Sequence, residues 1–151
     1  LDKDTKIKMS FLIPKVNKHM ISIKKFLEDN YACSIEILLN PDRNTICNVL
    51  EDTLYYFNCY EWEAFGLSTI EALCMGCNVI IPSTSPILPI IDNKKDSPVY
   101  KYPPENLLNK KLFQSDLKLS KKRMSLEMSN YYRELFSWDN FLEEIFRKIN
   151  L

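Results

Sequence analysis

The chain has 151 residues, the size of one ordinary domain. Its apolar fraction of 46% and charged fraction of 26% belong to a folded globular protein and exclude a disordered one. Lys plus Arg and Asp plus Glu both count 20, so no global field draws in nucleic acid or an anionic membrane, and any anion site must be local.

No stretch approaches the ~20 apolar residues of a membrane span. No signal-peptide pattern opens the chain, which begins with Leu rather than Met and so reads as a piece of something longer. The five cysteines (Cys33, Cys47, Cys59, Cys74, Cys77) are odd in number and lie in apolar stretches. They read as reduced thiols in a cytoplasmic core.

In chain order, Met9 to Pro14 reads as a buried strand and His19 to Leu27 as a helix. Ser34 to Leu39 reads as a second strand, broken by Asn40-Pro41-Asp42. Thr45 to Leu50 reads as a short helix and the aromatic-rich Thr53 to Cys59 as a third strand. Glu63 to Phe65 is a loop and Gly66 a turn. Leu67 to Met75 is a helix that Gly76 ends. Val79 to Ile81 is a strand closed by Pro82. Ser83 to Asp92 is a proline-rich loop, Asn93 to Asp96 a charged turn, and Val99 to Tyr102 a strand. Pro103-Pro104-Glu105 opens a helical C-terminal region, with helices at Lys121 to Phe136 and, capped by Ser137, at Trp138 to Ile149. Strands alternating with helices predict an α/β fold, a doubly wound, Rossmann-like parallel sheet over residues 1–151. Such sheets bind ligands at the carboxyl ends of their strands.

Residues 63–80 read EAFGLSTIEALCMGCNVI, and they contain both glycines of the chain, Gly66 and Gly76. A chain this sparing with glycine keeps it where the backbone has little choice. Gly66 permits a tight turn and a close ligand approach. The amides of Gly66, Leu67 and Ser68 then head a helix, a setting suited to a diphosphate. Glu71, a little over one turn on, can accept two hydroxyl hydrogen bonds, as a ribose diol offers. Glu63 precedes the turn and can reach hydroxyls of a group attached beyond the phosphates.

The segment resembles the Glu-x7-Glu motif of retaining glycosyltransferases of the GT-B fold, especially family four, with its E-G-F-G-L, three variable residues, E-A-(M/L) and A-x-G-x-P-V. Agreement covers Glu63, Phe65, Gly66, Leu67, Glu71, Ala72, Leu73, Gly76 and Val79; Ala64, Cys74 and Asn78 depart, the last where Pro is usual. Phe136-Ser137-Trp138-Asp139 is similar to the family's F-S-W-D before its final helix. Pro89 stands where the family's donor loop usually carries Glu, and that loop's paired glycines are missing. The family's Arg and Lys after the first strand, five positions apart, correspond here to Lys15 and Lys18, at shorter spacing.

The resemblance implies the C-terminal, donor-binding half of a GT-B enzyme. Its reaction is transfer of a hexosyl group, with retention, from a nucleoside diphosphate sugar to a glycan or lipid-linked acceptor. Glu63 is the catalytic carboxylate, Phe65, Gly66, Leu67, Ser68 and Glu71 bind the donor, and Lys15 and Lys18 face the diphosphate. The resemblance implies no metal and no cofactor. It also implies an acceptor domain preceding this one and a cytoplasmic site, with peripheral membrane contact where acceptors are lipid-linked. Set against it is a catalytically silent sugar-nucleotide-binding or protein-interaction module of the same α/β fold. Cys74-Met75-Gly76-Cys77 lacks a second pair and reads as small core residues rather than a metal site. Lys118, Lys121, Lys122 and Arg123 read as a solvated helix face.

Overall fold

The computed structural model describes residues 7–13, 18–30, 33–58, 66–92, 94, 97–103 and 122–140. The chain is mixed α/β with parallel strands in two small sheets, and it divides into two compact units, Leu1–Val49 and Leu50–Leu151.

In the first unit β1 (Ile7–Ile13) pairs in parallel with β2 (Cys33–Leu39), in register from Ile7 with Cys33 to Ile13 with Leu39. The crossover between them is α1 (Lys18–Asn30). Helix α1 runs further at both ends than the apolar spacing indicates. Two of its polar residues bind the neighbouring strand: Lys24 Nζ donates to Ile35 O at 2.7 Å, and Ile35 N–H donates to Glu28 Oε1 at 2.8 Å. These two side chains occupy the edge of β2 at Ile35, where an unpaired strand edge would otherwise invite association. Cys33 and Ile35 are buried, whereas Met9 and Phe11 of β1 are half-buried and Leu12 is exposed, so β1 is less enclosed than its apolar run indicates. Asn40 takes a left-handed φ of 43° at the break after β2. Helix α2 (Arg43–Asp52) then begins two residues before its expected start, because Asp42 caps it: Thr45 N–H donates to Asp42 Oδ1 at 2.7 Å. That hydrogen bonding holds the Asp42 carboxyl below its ordinary pKa.

In the second unit β3 (Tyr55–Phe57), β4 (Asn78–Pro82) and β5 (Val99–Tyr102) form a parallel sheet with β4 in the centre. All five residues of β4 are buried, as a central parallel strand requires. Helix α3 (Leu67–Cys74) crosses from β3 to β4 and buries Thr69, Ile70, Ala72 and Leu73. Between β4 and β5 the expected loop contains a short helix, α4 (Leu88–Ile91), with Pro89 in its first turn, where the missing amide is no loss. Fully buried Ile91 anchors it.

Helix α5 (Leu126–Leu135) starts five residues after the expected Lys121, at an N-cap Ser125 whose Oγ accepts from Met128 N–H at 3.2 Å. Its fully buried Tyr132 donates a hydroxyl hydrogen bond to Ile91 O at 2.8 Å. Ser137 Oγ accepts from Asn140 N–H at 3.3 Å, the cap expected of a further helix, of which residues 138–140 are described. The expected helical region from Pro104 to Lys121 lies outside the described residues.

Candidate functional site

The carboxyl ends of β3, β4 and β5 are Phe57, Pro82 and Tyr102, and the head of α3 lies at this end of the sheet. Gly66 is the N-cap of α3, with φ 68° and ψ 38°, the left-handed conformation that a side chain resists. It is buried beneath Ile87 from the loop after β4: a Cβ on Gly66 would lie 3.3 Å from Ile87 Cδ1. Ile70 N–H makes the first intrahelical bond, to Gly66 O at 3.0 Å. The amides of Leu67, Ser68 and Thr69 lie ahead of it, and the N-cap glycine has no side chain with which to cap them.

Leu67, Glu71 and Cys74 share the face of α3 that the core leaves open, at i, i+4 and i+7. Leu67 is exposed, and Glu71 and Cys74 are half-buried. Ser68, also half-buried, is one turn before Glu71. Burial, moderated by the charge of Arg133 and reinforced by that of Glu71, raises the Cys74 thiol pKa. Four expected site residues, Gly66, Leu67, Ser68 and Glu71, therefore sit on the first turns of one helix. Lys18 opens α1 in the first unit and is exposed. Glu63, Phe65 and Lys15 lie outside the described residues.

Comparison with protein-family models, with curated proteins and with solved structures finds no match. Among the described residues no group of three or more His, Cys, Asp or Glu side chains is placed to hold a metal ion, and no helix is long and apolar enough to cross a membrane.

Residues that the sequence pattern did not single out complete this end. Asn58, just past β3, is buried. Its N–H donates to Ile80 O at 2.9 Å, and its carbonyl accepts from Tyr102 Oη at 3.1 Å. Its side-chain Nδ2 donates to the Oγ1 of fully buried Thr69 at 3.1 Å. The signal in the sequence was an Asn closing the aromatic run Tyr55-Tyr56-Phe57, a polar residue where burial demands partners.

The other end of α3 is built from α5 and the segment before it. Gly76, with φ 84°, ends the helix in a Schellman motif: Gly76 N–H donates to Leu73 O at 3.0 Å and Cys77 N–H to Ala72 O at 2.9 Å. Ser129 Oγ and Arg133 Nε donate to Cys74 O at 2.9 and 2.8 Å. Arg123 donates to Met75 O, and also to Leu50 O and Glu51 O at the end of α2. Arg123 is thus not part of a solvated helix face. It precedes α5 and places its charge at two helix C-termini, where the backbone dipoles favour it. Lys122 is exposed but, like Arg123, precedes α5 rather than lying on a helix face, and Lys118 and Lys121 lie outside the described residues.

One departure from the family pattern has a structural use here. Asn78 donates through its N–H to Leu54 O at 3.0 Å and through Nδ2 to Leu54 O and Lys122 O at 3.1 and 2.9 Å, none of which a proline could do. Cys77 is buried and donates its thiol to Leu50 O at 3.3 Å, which fits the core reading of this cysteine.

Proposed function

We propose that the chain is the donor-binding half of a retaining glycosyltransferase of the doubly wound GT-B fold. The observation that carries this reading is Gly66: left-handed, at the head of α3 and the carboxyl end of a parallel sheet, with Glu71 on the open face of the same helix. A diphosphate suits the amides of that first turn, and a polyol suits the Glu71 carboxylate, which phosphate would repel. Glu63 takes hydroxyls of the hexosyl group, and Phe65, Leu67 and Ser68 line the donor. Transfer exchanges the sugar–phosphate bond for a bond to an acceptor hydroxyl, with the departing diphosphate stabilised by positioned amides and cations. In that fold a second domain holds the acceptor, so these 151 residues alone bind donor and turn over little.

Calorimetric titration of UDP- and GDP-sugars onto the chain tests the reading. Binding of one of them, lost in Glu71→Ala, supports it, and heat from none of them sinks it. A second reading, the silent module, draws on the loop after β4. It has no glycine between Ser83 and Ile87, and Pro89 is folded into α4. Donor binding without transfer by the full-length protein decides for that module.

A further inference from the structure

We infer that Asn58 and Thr69 form a positioning pair that sets the head of α3 against the carboxyl ends of all three strands of its sheet. The inference rests on the donor-site reading of that helix head. Asn58 is 2% exposed and Thr69 fully buried. A buried amide at the end of an apolar strand is costly unless each of its polar groups is met, and mutual satisfaction between two elements favours one geometry over its neighbours.

Asn58 reaches three elements at once. Its N–H holds β4 through Ile80 O, its carbonyl holds β5 through Tyr102 Oη, and its side chain holds α3 through Thr69 Oγ1 at 3.1 Å. Thr69 lies three residues after Gly66, inside the turn whose amides would meet a diphosphate. The chain leaves β3 at Asn58 and re-enters helix at Leu67, so the bond from Asn58 to Thr69 ties the two ends of the intervening segment, which carries Glu63, directly to each other. A shift of the α3 head must break this bond or drag the strand ends with it. Asn58 and Thr69 need not touch the donor; they hold the backbone that does.

The test uses the 151-residue chain with Thr69→Val, Thr69→Ser and Asn58→Leu. Thr69→Val keeps the shape and removes the acceptor, and Thr69→Ser keeps the acceptor. Amide hydrogen exchange is read at Ile70, whose N–H bonds Gly66 O, and at Gly76 and Cys77 at the other end of the helix. Thr69→Val and Asn58→Leu are expected to speed exchange at Ile70 about tenfold, with Gly76 and Cys77 unchanged and Thr69→Ser near the parent. Equal acceleration at both ends, or none at Ile70, overturns the pair. The same variants are titrated with the sugar nucleotide that the parent binds. About tenfold weaker binding in Thr69→Val, restored in Thr69→Ser, is expected. Unchanged affinity alongside faster exchange overturns the link to the site. If the parent binds no sugar nucleotide, the donor reading falls by that result alone, and the exchange data still decide whether the pair positions the helix.

Discussion

At the C-terminal end of α3 each carbonyl from Glu71 to Met75 accepts a hydrogen bond from a named donor. At the N-terminal end the chain turns through a left-handed glycine, which has no side chain to cap the first turn. The two ends share one backbone device, since Gly66 and Gly76 both sit at positive φ. They differ in what surrounds it. A Cβ on Gly76 would come within 3.3 Å of Arg123 Nη2, a group already committed to two helix ends. Among the described residues, a Cβ on Gly66 would press on the Ile87 side chain. One end is tied off by the protein itself and is structural. At the other, the described contact is Ile87 packed over buried Gly66.

The largest effect should come from the tied end. Arg123→Met removes donors to Leu50, Glu51 and Met75 carbonyls while keeping much of the side-chain volume. A loss of about 3 kcal/mol is expected, lowering the melting temperature by about 10 °C. Donor affinity measured well below melting should not change. A variant that melts with the parent would show that the clasp is ornamental, and one that loses donor affinity first would blur the distinction between the ends.

The glycine pair sharpens the same contrast. Gly76→Ala should cost about 2 kcal/mol, from positive-φ strain plus displacement of Arg123, with donor affinity kept. Gly66→Ala should cost somewhat less, about 1–2 kcal/mol, but weaken the donor about tenfold, since the methyl presses on Ile87 and strains the left-handed turn that presents the first amides of α3. Chemical denaturation and calorimetry on both variants check this, and a reversal of the affinity effects would exchange the roles of the two ends. Smaller still in stability is Glu71→Gln, an open-face change expected to stay within about 0.5 kcal/mol of the parent. Its donor binding should fall about tenfold through the lost charge on the hydroxyl hydrogen bonds.

The elements were legible because their signals are local. Apolar-rich runs of three to seven residues marked the strands, and both glycines marked real left-handed turns. Leu67 to Met75 matched α3 to within a residue. What escaped was set by partners distant in sequence. Arg123 looked like one of four surface cations because the carbonyls it serves belong to residues 48 to 73 positions away. Asn58 and Thr69 looked like filler because their partners, Ile80 and Tyr102 among them, lie on strands the sequence does not align. The start of α5 was misplaced because Lys121 to Met124 carry helix-forming residues, while the Ser125 cap decides the boundary. Of the expected site, four residues fall together on α3, and Glu63, Phe65 and Lys15 lie outside the described residues.

The smallest effect is one of pH, and it belongs to the tied end. Burial pushes the Cys77 thiol from 9.0 up to about 11, against the opposing pull of the Arg123 charge. The folded state thus favours the neutral thiol, and the unfolded chain loses its proton first. The stabilisation is fully present below pH 9.0 and is lost as pH rises from there to about 11. Tyr132, also raised chiefly by burial, adds a loss of the same sign at higher pH, beginning at its ordinary 10.0. Cys77→Ser keeps a donor for Leu50 O but does not titrate, so its denaturation midpoint should fall less steeply than the parent's between those pH values. Both proteins are measured under reducing conditions. Parallel slopes would mean that Cys77 is not held neutral by its burial behind Gly76, and that the tied end is looser than its hydrogen bonds indicate.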